Sequence, residues 1–266
     1  MTTLEVNVPF ALYLLSLFVY ALAYLKSDRR WNLAGFTLSV AGWAGQTFFL
    51  ARRWMEGGRA PMANQHESLL ILAWTLMLLY VVYRRKLALP LLGAWISVAC
   101  LLVLGVASLI DPSIRPLMPA LQSNWLLYHV AVIMAGYGAL LLSAVVGGIH
   151  LFSSRKGRKP SPAKGSLEAL DDLDYRALSL GFLLLTGGIL LGSVWANEAW
   201  GAYWSWDPKE TWSLITWFFY ATALHLRRSR GWTGRRFSWM SLAGVAFILF
   251  TYFGVNYLLS GMHSYR

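Results

Sequence analysis

Residues 87–110 read LALPLLGAWISVACLLVLGVASLI, a stretch without a single charged side chain. As a helix rising about 1.5 Å per residue it covers roughly 36 Å, enough to cross a hydrocarbon core about 30 Å thick. A helix lying on a soluble core would carry polar or charged groups on its wet face every turn. This run is therefore read as a membrane span. Seven further runs share the pattern: 9–25, 33–51, 68–83, 125–153, 177–195, 208–226 and 237–259. Each is continuously apolar rather than alternating, so helices are predicted and not the strands of a barrel. The run at 9–25 lacks a cleavage-like site and reads as a retained span. The predicted fold is all-α, a polytopic membrane helix bundle of about eight transmembrane helices, forming one integral membrane domain over residues 1–266.

Composition agrees. The chain is 57% hydrophobic and 13% charged, whereas soluble domains carry about 25% charged residues. Its single cysteine, Cys100, lies inside an apolar run. That excludes an internal disulfide and a cysteine-pair metal or redox site. It also excludes a c-type haem attached to this chain, which needs Cys-x-x-Cys-His.

The net charge of +11 is a matter of topology. Of 23 Lys and Arg, 17 lie in the segments 26–32, 84–86, 154–176 and 227–236, all of which fall on one side if eight spans are threaded. The positive-inside rule makes that side cytoplasmic and places both termini outside. The basic face suits anionic membrane lipid and implies no nucleic acid partner. Residues 154–176 form the one linker-like stretch and are expected to be a cytoplasmic loop.

Six of the 14 tryptophans crowd into 195–217: Trp195, Trp200, Trp204, Trp206, Trp212 and Trp217. The segment 195–212, WANEAWGAYWSWDPKETW, faces outward by the charge count. Interfacial aromatic belts are common, but they supply one or two rings per helix end. A shelf of this density suits a large, flat, apolar ligand. Within it, Asp207-Pro208-Lys209-Glu210 reads as a helix start, with Asp207 at the N-cap, Pro208 at the first helical position and Glu210 completing a capping box. The helix N-terminus and Lys209 together suit an anionic group on the edge of such a ligand.

Five histidines remain. Ionisable groups within a membrane are functional candidates by default. His129 follows Trp125 at the outer end of its span, and His263 follows the last span in GMHSYR, also outside. His66 lies in the outer loop 52–67. His150 is 21 residues beyond His129 and His225 is 18 beyond Asp207, so both sit at inner ends, about 31 and 27 Å away. His225 therefore cannot ligate the same iron as the outer pair. Two imidazoles on opposite faces of a macrocycle are an established way to hold haem iron, and His129 and His263 share the outer leaflet with the tryptophans. A lone histidine is more often a hydrogen-bonded interface residue; the shelf is what raises these two above that reading.

The segment WANEAWGAYWSWDPKETWSLITWFFYATALHLR, residues 195–227, resembles the CcsA (also called ResC) family of cytochrome c assembly proteins and its tryptophan-rich "WWD" haem-handling signature. W-G-x-Y-W-x-W-D-P-K-E-T-W is close to that family's own form, from which the related CcmC and CcmF proteins diverge after Trp-Asp. NQHESLL (64–70), LLYHVAVIMAGYG (126–138) and GVNYLLSGMHSY (254–265) are similar to other family segments, with His66 where tyrosine is common. The resemblance covers residues 60–266 and implies a component of a cytochrome c haem lyase (synthetase) system. His129 and His263 would be outward axial ligands of haem b, carried as substrate. Trp195, Trp200, Trp204, Trp206, Asp207 and Trp212 would form its platform. His225 would take haem from the inner side; whether His150 stands in for the further membrane histidine that the family's partner protein supplies stays open. A separate CcsB/ResB-type membrane protein and an apocytochrome c bearing Cys-x-x-Cys-His would be partners, in a bacterial plasma or thylakoid membrane with the haem site on the periplasmic or lumenal side.

Two other readings compete. A HemX-like membrane regulator of haem synthesis shares parts of the signature without lyase activity. A solute transporter would place polar groups at the midplane; the runs above contain no buried acid, Lys or Arg, which speaks against it.

Overall fold

The computed structural model describes residues 2–84, 88–154, 165–259 and 261–262. Eight long helices account for nearly all of them: α1 (Thr2–Lys26), α2 (Arg29–Gly57), α3 (Gln65–Arg84), α4 (Pro90–Ser108), α5 (Asn124–Ser153), α6 (Gly165–Trp200), α7 (Pro208–Arg230) and α8 (Arg235–Leu258), the last containing a π-helical stretch at Phe250–Gly254. No strand occurs among the described residues. Seven helices are long and apolar enough to cross a membrane. The eighth, α7, has the length but carries Trp, Tyr, Thr, Ser and His along its course. The chain is a polytopic membrane helix bundle, as expected.

Two compact units divide it, one of α1–α4 and one of α5–α8. In the first, α1 inserts tyrosines between its neighbours. Tyr13 donates to Gln46 Oε1 (3.0 Å), Gln46 Nε2 donates to the Leu70 carbonyl (2.8 Å), and the Tyr20 and Tyr80 hydroxyls lie 2.7 Å apart. Lipid offers helices little hydrophobic incentive to associate, so small residues and interhelical hydrogen bonds do the work. Gly93 of α4 illustrates it, since a methyl there would overlap the Tyr20 ring. Gly93→Ala should lower thermal stability in detergent by about 1–3 kcal/mol, the usual cost of overpacking. Gly105→Ala, where a methyl meets nothing within 4 Å, should be neutral or stabilising by up to ~1 kcal/mol through helix propensity.

In the second unit, α5 packs along α6 and against α8, and α7 is clasped to α8 by Thr216 and Thr251, whose hydroxyls lie 2.8 Å apart. Two expectations change here. Residues 165–176, read as part of a loop, form the first turns of α6; residues 155–164 lie outside the described residues. Leu170, Leu173, Ala177 and Leu178 are buried at helical spacing, while Asp172 and Arg176 pair on the exposed face (2.7 Å). Three aspartates within four residues obscure that stripe in the sequence.

The lengthened helix also carries a buried acid. Asp174 is fully buried and accepts hydrogen bonds from Ser143 (2.5 Å) and Ser241 (2.7 Å). Asp174 precedes the predicted span 177–195, but Glu210 is buried within the predicted span 208–226, so the expectation that no acid is buried in the spans is corrected. Asp174 lies 26 residues before Trp200, about 39 Å along the helix, so it belongs to the end of α6 opposite the tryptophans. There Arg227 makes a bidentate pair with Asp171 (2.8 and 2.8 Å) between the rings of Tyr175 and Phe237. This end also carries the Arg-rich turn 227–236 and is called the basic end below.

Candidate functional site

The tryptophan end of the second unit begins with a cap. The Ser123 hydroxyl accepts from the Trp125 amide (3.1 Å) and donates to Glu198 Oε2 (2.8 Å), which ties the start of α5 to the last turns of α6. A little over one turn later His129 faces α6. Its Nδ1 lies 2.7 Å from the Gly188 carbonyl oxygen. A carbonyl can only accept, so Nδ1 carries the proton and the lone pair resides on Nε2. That is the tautomer a metal-ligating histidine needs, with its second nitrogen oriented by a backbone carbonyl.

Glycine makes this seat. A methyl on Gly192 would lie 2.6 Å from His129 Nδ1 and 2.7 Å from Cε1. The imidazole runs nearly parallel to Trp195, at 16° with centroids 6.3 Å apart, and Trp195 meets Trp200 edge-on at 4.8 Å. Trp195 itself is buried. Helix α6 then stops, with Gly201 in the left-handed region (φ +78) just past its end. Residues 195–200 are therefore the final turns of α6, and the connecting loop is short.

In that loop Trp204 and Trp206 stand perpendicular, at 89° with centroids 5.8 Å apart. Trp206 has φ +60 and is 68% exposed. A left-handed backbone at a bulky residue costs of order 1–3 kcal/mol and persists where neighbours enforce it. Glu210 does the enforcing: its Oε2 accepts from the Ser205 amide (2.8 Å), the Ser205 hydroxyl (3.2 Å) and the Asp207 amide (3.2 Å). The Glu210 carboxylate thus fixes the Ser205–Asp207 backbone from which the exposed Trp206 indole projects, with Trp204 half-buried beside it.

The predicted helix start is present. Asp207 caps α7 with a complete capping box, and Pro208 follows at the first helical position. Lys209 does not stand ready for an anion as the spacing suggested; its ammonium donates to Asn256 Oδ1 of α8 (2.8 Å). Trp212 packs on Phe250 of the π-helical stretch (4.1 Å), and Trp217 donates to Thr186 of α6 (2.8 Å).

The structure thus brings His129, Trp195 and Trp200 together and pairs Trp204 with Trp206. His263 lies outside the described residues, although Met262 before it is bonded to Asp207 (2.6 Å). His225 is exposed on α7 toward the basic end. His150 is buried there, beneath Gly234, and its Nδ1 has no hydrogen-bond partner among the described residues. His66 belongs to the first unit, in the opening turn of α3, and donates to the Ala107 carbonyl (2.8 Å). Gly188, Gly192 and the gathering role of Glu210 were not singled out by the spacing argument. The closely spaced glycines Gly187, Gly188 and Gly192 were the available signal.

Residues 62–263 match the model of a family described as cytochrome C assembly protein. The cytochrome c biogenesis protein CcsA of Guillardia theta is 37% identical over 97% of this chain and 94% of its own length. CcsA of Prochlorococcus marinus (strain MIT 9313) is 41% identical over 81% of this chain and 79% of its own. Among solved structures, cytochrome c heme lyase CcmF superposes on 98% of this chain with a TM-score of 0.69 at 20% identity, a likeness of fold. This chain spans about half of that protein, 47% of its length.

Proposed function

Because this chain belongs to the CcsA family of cytochrome c assembly proteins, we propose that it binds haem b as substrate at the tryptophan end of α5–α8 and presents it to an apocytochrome c. The seat of His129 carries the reading: a ring locked by Gly188, with its lone pair on Nε2, lying parallel to the Trp195 indole. Such a nitrogen is competent to take an axial position on haem iron, with His263 on the other face. Half-buried Trp200 and Trp204 and exposed Trp206 supply apolar area for the macrocycle, with buried Trp195 packed against Trp200 and the His129 ring.

Attachment then requires no nucleophile from this chain. Each cysteine thiol of Cys-x-x-Cys-His adds across one vinyl group, sulfur bonding to one carbon of the double bond and the proton going to the other, with no net oxidation. The contribution of this chain is orientation and proximity, which are worth several kcal/mol in favourable cases. A CcsB/ResB-type membrane protein completes the system. The tryptophan end faces outward with both termini, because 17 of the 23 Lys and Arg fall on the other side. His225, exposed toward the basic end, receives haem arriving from the cytoplasmic side.

Deleting the gene should abolish c-type cytochromes while b-type haem proteins persist. Intact c-type cytochromes with altered haem synthesis would instead indicate a HemX-like regulator. Within the site, Trp204→Ala should lower c-type cytochrome yield about two- to tenfold, from the ~0.5–1.5 kcal/mol that a well-placed aromatic contact supplies. Trp204→Phe keeps an apolar ring and should be milder. Haem-stained gels of membranes separate the two.

A further inference from the structure

The aspartate of the tryptophan-rich segment invites the assumption that it touches haem. Its surroundings point elsewhere. Asp207 is 6% exposed, and both of its carboxylate oxygens accept hydrogen bonds from the backbone. Oδ2 takes the Lys209 amide (3.0 Å), which is the helix cap. Oδ1 takes the Met262 amide (2.6 Å), 55 residues away in sequence. An ionised carboxylate is an acceptor only, so it has no proton to share with a haem propionate and would face a like charge.

The approach of the tail is specific. A methyl on Gly261 would overlap Asp207 Oδ1 and lie 3.0 Å from Pro208 Cδ, so only a glycine lets the backbone come this close. Upstream, α8 is already strapped to α7. Trp212 and Thr216 pack on Phe250 and Thr251 of the π-helical stretch, and Asn256 holds Lys209. Each helical residue turns the chain about 100°, so the extra residue of a π turn sets which face Asn256 presents. Helix α8 then ends, and Leu259 leaves it in an extended conformation (φ −121, ψ 140).

We propose that Asp207 is a positioning residue, whose carboxylate pins the Gly261–Met262 backbone to the start of α7 and so presents the histidine that follows. This rests on the reading of His263 as an axial ligand, and the experiment separates the two. The full chain, purified with its partner membrane protein and copurifying haem, is compared with Asp207→Ser, Gly261→Ala, His263→Ala and the double variant Asp207→Ser/His263→Ala. Serine still caps a helix but is too short to hold the Met262 amide as well. Gly261→Ala displaces the tail without altering Asp207.

Amide hydrogen exchange at Met262 should quicken about tenfold or more in Asp207→Ser and Gly261→Ala, in keeping with loss of a hydrogen bond to a charged group. Both should reproduce the haem spectrum of His263→Ala, and added imidazole should restore all three. The double variant should be no worse than His263→Ala alone, as for groups acting in one chain of contacts. Unchanged exchange at Met262 in Asp207→Ser overturns the anchor. So does loss of haem in Asp207→Ser that imidazole does not restore, because Asp207 would then touch haem itself. If exchange quickens while His263→Ala keeps the parent spectrum, the anchor stands and the ligand reading of His263 falls.

Discussion

His129→Ala should reduce c-type cytochrome formation to the level of cells lacking the chain. The ring is the one imidazole among the described residues seated beside the Trp195 and Trp200 indoles, and nothing else on α5 or α6 at that level offers a nitrogen lone pair to iron. Alanine removes the ligand and leaves the helix packing largely intact, since His129 is only partly buried. External imidazole can occupy the vacated space, so partial recovery of cytochrome yield in imidazole-containing medium separates lost ligation from misfolding. Haem-stained membranes and the steady-state level of the chain are the measurements. Parent-level cytochromes in His129→Ala would end its assignment as a ligand.

Gly192→Ala should approach the same defect without altering any polar group. Its methyl would lie 2.6 Å from His129 Nδ1, so the ring must leave the Gly188 carbonyl and lose the contact that fixes its tautomer. Disturbing the group that orients a metal-bound histidine typically costs 10–100-fold in metal affinity or activity, and a loss of haem occupancy of about that size is expected. Gly187→Ala, five residues earlier on the same helix, is the control, because its methyl would sit 3.7 Å from Val132, an ordinary contact. If both variants keep parent haem content, the seat does not hold the ring. The pair discriminates well because helix propensity changes equally in both.

The spans were legible because lipid imposes a one-dimensional rule: a crossing helix must be apolar for its whole length. The start of α7 was legible for a different reason, since Asp207, Pro208 and Glu210 are local signals whose partners lie within three residues. The basic end of α6 was not. Asp171, Asp172 and Asp174 suggest water, yet one pairs with Arg227, one with Arg176, and Asp174 is buried against two serines from other helices. The same holds in the first unit. Residues 52–67 read as an outer loop, but α2 extends to Gly57, and Arg53 and Glu67, each 1% exposed, form a buried pair (3.1 Å) joined by Arg59 (2.9 Å). Spacing cannot announce which distant charges will be desolvated together.

At the site, the tryptophan density and the place of His129 at the outer end of its span stood out in the sequence, and the family resemblance agrees with the membership found. The lock on His129 did not stand out. Gly188 and Gly192 read as small residues for close helix packing, and only the three-dimensional register of α5 on α6 turns one into a hydrogen-bond acceptor and the other into a slot. Lys209 shows the opposite error: a free cation in the sequence is a strap to Asn256 in the fold.

The central claim is that His129 Nε2 and a second imidazole hold haem iron at the tryptophan end. Magnetic circular dichroism of the chain purified with its partner and bound haem tests it most directly. A low-spin signal characteristic of two imidazole ligands, converted to high-spin by His129→Ala and regained on adding imidazole, is the predicted result. A low-spin signal that His129→Ala leaves untouched would contradict the claim.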